Sequence, residues 1–541
     1  MSFRSSSRLE CVSKLGFFSK DRNWWACLLL VTFAGLALRL GGINVHSFWY
    51  DESVSANLAQ ATTWDLLSGR AKDNGNPPLY WIALKGTSAF MTPSETAFRW
   101  FSVLCGTLTI PLLATLGRRL LSPQAGMIAA TLLAFSPFAL ELSTEARAYA
   151  LCQLLAVLNT LVFVLWIENR NSRLACLYVG TLSLCCLTHY YALVIPVSQG
   201  ISLLVLSKSD RRIGRWLIMV AFAAALTSFW LPAFLDQIGT TGNAIRMADS
   251  WNMQFLATPL AFGFGRTLVW RSAPPLVLAG ASLAAVSLVW LFAAWGTSQA
   301  LINDSISKKT AFNGRFSAVL LSSCVLIPIL LPFLLAITVT PIYTIRYATV
   351  GLPAFLLLAG FGMTLMRHHW RPVVCGALTL LTAVSLFKFF NEPLRDAWRT
   401  ATPAILAGLR EDDLVLFDSD IEVLPFLFYS DLSAQPPPQL IGLVSGIREE
   451  GRMLGVRYVN GERVDDDPLD YTARILQANR LRLATCVPTS SPDDYFRFFS
   501  RFGFSVTRDM HCHRIDVFQL DHNPPPLPEY SLETVAQTGT H

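Results

Sequence analysis

Long apolar runs separated by short polar breaks fill the first 390 residues, and eleven of them approach the ~20 residues a helix needs to cross ~30 Å of hydrocarbon. They are Trp24–Leu40, Trp100–Leu116, Ala125–Leu140, Ala148–Ile167, Leu174–Leu187, Tyr190–Leu206, Trp216–Leu235, Pro274–Trp295, Phe316–Thr340, Ala348–Met366 and Val373–Phe390. The fifth is short, with its boundary to the sixth at Thr188–His189. The first is Leu-rich, carries Arg39 near its end and lacks a small-x-small cleavage site, so it reads as a span and not a cleaved signal. Trp251–Trp270 is apolar enough for a further span. Inserting it would invert every later loop against the charge asymmetry described below, so a surface-lying or re-entrant segment is expected there.

Beyond Phe390 the pattern changes. Asp413–Asp418 (DLVLFD) predicts a buried strand and Ile421–Tyr429 a helix; Tyr471–Leu481 is helical in pattern, and Leu483–Val487 and Ile515–Leu520 are strand-like. From Asn523, with Pro524–Pro526 and no apolar period, disorder is expected. The expectation is thus a polytopic α-helical membrane protein of about eleven transmembrane helices with a small C-terminal α/β soluble domain. Its parts would be a cytoplasmic tail (1–23), a transmembrane domain (24–390) with a long first outside loop (41–99), an extracytoplasmic α/β domain (391–522) and a disordered end (523–541).

Composition agrees: of 541 residues 52% are hydrophobic and only 15% charged, against ~25% charged in soluble domains. This excludes a soluble enzyme, a disordered chain and a collagen-like fibre. The net charge of +6 matters less than its placement. If the N-terminal tail is cytoplasmic, the other inside loops carry Arg118/Arg119, Arg170/Arg173, Lys208/Arg211/Arg212/Arg215, Lys308/Lys309/Arg315 and Arg367/Arg371, while the short outside loops hold one basic residue or none. That asymmetry predicts N-in, C-out, and no basic run points to nucleic acid. Among the eleven cysteines, most fall in predicted spans as packing residues. Cys486 and Cys512, 26 residues apart in the outside domain, are candidates for a disulfide, with two separate buried thiols as the alternative.

Ionisable residues collect at the outer ends of the spans. Asp51 and Glu52 follow Phe48-Trp49-Tyr50; Glu145 and Arg147 lie between the third and fourth spans, His189 between the fifth and sixth, and Arg346 with Tyr347 between the ninth and tenth. Each alone also fits an interfacial anchor; their convergence on one face favours a site. Membrane lipids are expected partners.

The stretches HSFWYDESVSANL (His46–Leu58), GNPPLYWIALK (Gly75–Lys85), FRWFSVLCG (Phe98–Gly106), LGRRLLSPQAG (Leu116–Gly126), SPFALELSTEARAYAL (Ser136–Leu151), HYYAL (His189–Leu193), PIYTIRYATVGLP (Pro341–Pro353) and DAWR (Asp396–Arg399) resemble lipid-phosphosugar-dependent glycosyltransferases of the membrane C-type fold. The branch is that of protein O-mannosyltransferases and the lipid A aminoarabinose transferase. Many relatives have His-Pro-Pro where this chain has Asn76-Pro77-Pro78, so a role of that His in binding metal or phosphate does not carry over. The resemblance implies an inverting enzyme that takes a sugar from a polyprenyl-phosphate donor on the outer face of a plasma membrane and passes it to a lipid, protein or glycan acceptor.

The chemistry needs a base for the acceptor hydroxyl and cations for the leaving phosphate. Asp51 is the candidate base, and Glu52 would orient it or bind a cation. Arg346 would hold the phosphate through its forked donors, joined by Tyr347 and His189. Glu145, Arg147 and Asn76 would brace the loops or touch substrate. No spacing of His, Cys and carboxylates declares a metal site; a divalent metal stays open and no other cofactor is called for. No P-loop or dinucleotide turn supports a nucleotide-sugar donor. A flippase would place ionisable groups near span centres, and a polysaccharide polymerase or ligase would usually carry an Arg-rich outer loop; both remain alternatives.

Overall fold

The computed structural model describes residues 22–73, 75–206, 212–244, 251–265, 291, 294–295, 297–299, 314–338, 343–410, 413–433, 439–443, 453–459, 462–464, 469–478, 480–485 and 492–522. Among them seven helices are long and apolar enough to cross a membrane: Arg22–Gly42, Glu95–Leu120, Tyr149–Asn169, Arg212–Ile238 (a run of shorter helices), Gly314–Thr338, Tyr347–Leu365 and Arg371–Asn391. Counting one bent pair as a span gives eight.

The other expected spans are broken, short or outside the described residues. Ala125–Leu140 is two helices, Pro123–Phe135 and Pro137–Ser143, bent by 61°. Pro137 has no N–H to donate and disfavours helical geometry at Ser136 before it. Ser136 therefore ends one helix and caps the next, its hydroxyl accepting the Ala139 N–H at 3.2 Å. The fifth run is a helix of only 15 residues, Ser172–Cys186, and the sixth opens as a 3-10 turn, Tyr190–Leu193, before Val194–Leu206. Most of Pro274–Trp295 lies outside the described residues, as do the N-terminal 21 residues and everything from Asn523. Trp251–Phe264 is helical, its 14 described residues rising ~21 Å. Its Phe262 is buried against Phe138.

Small residues set a close helix contact. A Cβ on Gly126 would collide with the Ala114 carbonyl, and one on Gly117 would lie 2.6 Å from the Gly126 Cα. Helices Glu95–Leu120 and Pro123–Phe135 thus meet backbone to backbone, as small residues allow where lipid supplies no hydrophobic drive. A buried network pins the next layer: Gln199 donates to Asn159 at 2.9 Å, Asn159 to Thr181 at 2.9 Å, Tyr178 to Gln199 at 2.6 Å and Trp216 to Tyr178 at 2.9 Å.

At the other end, residues 41–99 fold into short helices, including Tyr50–Gln60, Thr63–Ser68 and Leu79–Ser88. The C-terminal region is strand-rich: β1 (Leu414–Phe417), β2 (Gln439–Leu443), β3 (Leu454–Val459), β4 (Glu462–Arg463), β5 (Leu469–Asp470), β6 (Arg480–Thr485), β7 (Phe504–Cys512) and β8 (Ile515–His522). Their order is β4-β3-β2-β1-β6-β8-β7, with β5 on β3. β1 runs parallel to β2 and β6, and its four residues are all buried, the pattern of a central parallel strand.

The helical reading of Tyr471–Leu481 fails after Leu476. Arg480–Thr485 reads RLRLAT, a period of two that sends Leu481 and Leu483 into the sheet core with Phe499 and Phe504. Helix Val423–Leu432 lays Phe428 on Phe48, rings 4.3 Å apart, so the strand-rich region packs directly on the first outside loop. Cys512 lies on β7, but Cys486 is outside the described residues, and with it the expected disulfide.

Candidate active site

Helix Tyr50–Gln60 starts with two carboxylates in its first turn, Asp51 and Glu52, where exposed N–H groups favour negative charge. One residue apart on a helix, they face different surroundings. Glu52 has no exposure. It accepts a bidentate pair from Arg99 (Nε and Nη2, 2.7 Å each), the Ala146 N–H at 2.8 Å and Arg395 Nη1 at 2.9 Å. Asp51 keeps a quarter of its side chain exposed and pairs with Arg346 at 3.4 Å.

Arg346 also stands 3.6 Å from Glu145 Oε1, the oxygen that Arg395 contacts too. Both guanidiniums lie over the Trp49 ring, at 4.3 and 5.0 Å from its centre, a cation–π arrangement. Arg147 donates to the Asp51 carbonyl at 3.2 Å and to Asp73 at 3.0 Å. Asn76 donates to the same Asp73 carboxylate at 2.9 Å.

His189 is buried, and its Nδ1 accepts the Tyr191 N–H at 3.2 Å. Its ring stands 5.0 Å from Tyr347 and 5.9 Å from Tyr149. With the lone pair on Nδ1 used, a neutral ring carries its proton on Nε2. Burial, with the Arg147 charge helping, pushes this imidazole down to about 3. The Asp51 carboxyl is held above the usual range: burial raises it most, Arg147 and Arg346 pull it back, and Asp73 and Glu145 add to the rise. Burial, with Asp51, Asp73 and Asp420 adding, pushes the neighbouring Tyr50 up to about 12.

Every residue singled out from the sequence in this region therefore falls in one constellation. Reasoning from sequence passed over Asp73, Arg99 and Arg395. Arg99 lay inside a motif already noted, and Arg395 immediately precedes Asp396-Ala397-Trp398-Arg399. Asp51, Glu52 and Glu145 meet Arg99, Arg346 and Arg395 in contiguous ion pairs, and a separate pair, Arg147–Asp73, joins them through the Asp51 carbonyl.

Residues 75–232 match the family of dolichyl-phosphate-mannose-protein mannosyltransferases. No curated protein matches the sequence. Among solved structures, ArnT from Cupriavidus metallidurans bound to undecaprenyl phosphate is similar over 94% of this chain and 100% of its own, with TM-score 0.53 and 13% identity. This is the membrane C-type glycosyltransferase fold. Two further solved structures are similar at lower TM-scores. The archaeal oligosaccharyltransferase AglB from Archaeoglobus fulgidus, in complex with an inhibitory peptide and a dolichol-phosphate, has TM-score 0.45 and 12% identity. The match covers 73% of this chain and spans 59% of that one. The arabinofuranosyltransferase AftD from Mycobacteria has TM-score 0.49 and 11% identity, over 94% of this chain and 40% of its own.

Among the described residues of this C-type fold, no group of three His, Cys, Asp or Glu side chains is placed to hold a metal ion. The carboxylates that could serve are turned to arginines, and the tautomer of His189 puts a proton on Nε2 where a metal would need a lone pair.

Proposed function

We propose that the protein is an inverting glycosyltransferase of the plasma membrane, moving a hexosyl or pentosyl group from a polyprenyl-phosphate carrier to a hydroxyl acceptor at the outer face. The observation that carries this reading is the Asp51–Arg346 pair, a proton acceptor and a forked phosphate binder 3.4 Å apart. The ArnT structure that holds undecaprenyl phosphate supports the class of donor.

In the reaction, Asp51 takes the proton of the acceptor hydroxyl, the oxygen forms its bond to the anomeric carbon, and the bond from that carbon to the phosphate oxygen breaks. The carrier leaves as a phosphate monoester with one more negative charge than the donor had, and Arg346 meets that charge. No strong general acid is needed for so stable an anion. Arg395 and Arg147 hold the frame: one spans Glu52 and Glu145, the other ties the Asp51 carbonyl to Asp73. His189, neutral and with Nε2–H as donor, suits a phosphate oxygen or a sugar hydroxyl.

In the resting site Arg346 faces Asp51 and Glu145, so a phosphate arriving there competes with both carboxylates for it. Donor arrival then frees Asp51 for the acceptor. Replacing Asp51 by Asn should therefore do two opposite things. Transfer falls by ~10²–10⁴, the range of general-base catalysis, while undecaprenyl phosphate binds more tightly because its competitor is gone. Arg346→Lys keeps the charge, loses the fork and weakens binding. Binding of undecaprenyl phosphate and single-turnover transfer, measured on the protein in nanodiscs, check both. Transfer by Asp51→Asn at the parental rate in folded protein sinks the proposal.

A further inference from the structure

A large cavity lies away from the ion-pair site. It measures about 760 Å³ and sits between helices Pro123–Phe135, Leu352–Leu365 and Arg371–Asn391 and the end of Trp251–Phe264. That is within the ~300–1,000 Å³ of ordinary ligand clefts. Its walls are apolar, among them Ile128, Leu132, Phe264 and Leu356, and one end is polar, formed by Gln124, Thr364 and Arg371.

That polar end is far from Asp51. Helix Leu352–Leu365 begins next to the Arg346-Tyr347 turn and runs away from it for 14 residues, a rise of ~21 Å. Arg371 follows the helix end and donates to the Thr364 and Met366 carbonyls at 3.0 and 3.1 Å. Those two bonds use two of the five N–H donors of a guanidinium. Arg367, His368, His369 and Trp370 complete an exposed turn, with Trp370 55% exposed. An exposed indole among cations marks the level of lipid headgroups, and basic pockets between membrane helices take anionic ones.

We propose that this cavity holds an acyl chain of an anionic phospholipid whose phosphate headgroup rests on the Arg367–Arg371 turn. The shared chemistry, a phosphate on a long apolar chain, also fits the polyprenyl carrier. On the functional reading above, however, the carrier's phosphate belongs at Arg346, at the opposite end of the helix. The cavity's occupant is then a second lipid, bound from the other leaflet. It fills a space between helices that carry the Arg346 turn at one end and the basic turn at the other.

Native mass spectrometry of the full-length protein in detergent tests this with defined probes. Phosphatidylglycerol should be retained about tenfold better than phosphatidylcholine. Arg367→Gln and Arg371→Gln should each cut that retention about fivefold, as the loss of one cation near a lipid phosphate does. Thr382→Trp, which fills the cavity from its wall, should abolish it. Equal retention of the two phospholipids by the parent protein overturns the proposal, and that comparison needs no variant to fold. Displacement of phosphatidylglycerol by undecaprenyl phosphate, one for one and lost in Thr382→Trp, also overturns it and assigns the cavity to the carrier. Neither result depends on whether the protein transfers sugar.

Discussion

At the scale of single residues, if Asp51 is the base proposed above, Arg147 sets how acidic the medium can become before Asp51 loses that use. Burial lifts the Asp51 carboxyl above its ordinary range, and Arg147 is the larger of the two charges restraining that rise. A base works only when deprotonated, so activity is lost as pH falls through this raised value. Arg147→Gln removes the restraint, and the acid limb of the pH–rate profile should move to higher pH. His189, pushed down to about 3 by burial, is neutral across the working range and contributes no limb. His189→Gln should leave the profile's shape unchanged while lowering its height. Transfer rates between pH 4 and 8 for the three proteins check this, and an acid limb that vanishes in His189→Gln contradicts it. The sequence made Asp51 and Arg346 visible because they sit in recognisable motifs at span ends. It could not show that Glu52, adjacent to Asp51, is spent on Arg99 and Arg395, because that depends on segments 47 and 343 residues away in the chain.

At the scale of elements, Glu52 joins three parts of the chain: helix Tyr50–Gln60 through its own backbone, Glu95–Leu120 through Arg99, and the segment after the last membrane helix through Arg395. Removing one partner of a buried ion pair leaves the others uncompensated and costs ~3–5 kcal/mol. Glu52→Gln should accordingly lower the thermal midpoint well below that of Asp51→Asn, whose carboxylate is partly exposed and singly paired. Fluorescence-detected unfolding in detergent separates the two, and equal midpoints would show that Glu52 is not a structural hub. Helix positions were legible because apolar length alone marks them. Breaks were harder to read: Ser136-Pro137 interrupts an apolar run whose composition does not change across the bend. In the C-terminal region the strand read at Leu483–Val487 overlaps β6, but its start, Arg480–Arg482, was absorbed into a preceding helical period. β2, β3 and β7 went unseen because strand propensity is weak outside its packing context, which their own sequence does not display.

For the whole molecule, the two ends differ in chemistry. At one end Arg119 pairs with Glu168 at 2.9 Å, Arg118 stacks on Trp24, and Arg367 and Arg371 frame the basic turn. At the other, residues 41–99 and the strand-rich region enclose the Asp51–Arg346 pair. Tyr429 of helix Val423–Leu432 accepts the Phe48 N–H at 2.7 Å, three residues before Asp51, so the sheet domain helps to hold the turn that carries the proposed base. A single sidedness must therefore serve both ends. If the basic end is cytoplasmic, as the asymmetry of Lys and Arg demands, the ion-pair site and the sheet domain are outside together. Reporter fusions after Arg118 and Arg212 should then register the cytoplasm, and a fusion after Asn391 the exterior. The Asn391 fusion is decisive, because the chain beyond it is clamped to the Asp51 loop through Arg395, Arg399 and Tyr429. A cytoplasmic signal there would carry the site inside with it, and transfer at the outer face would no longer be tenable.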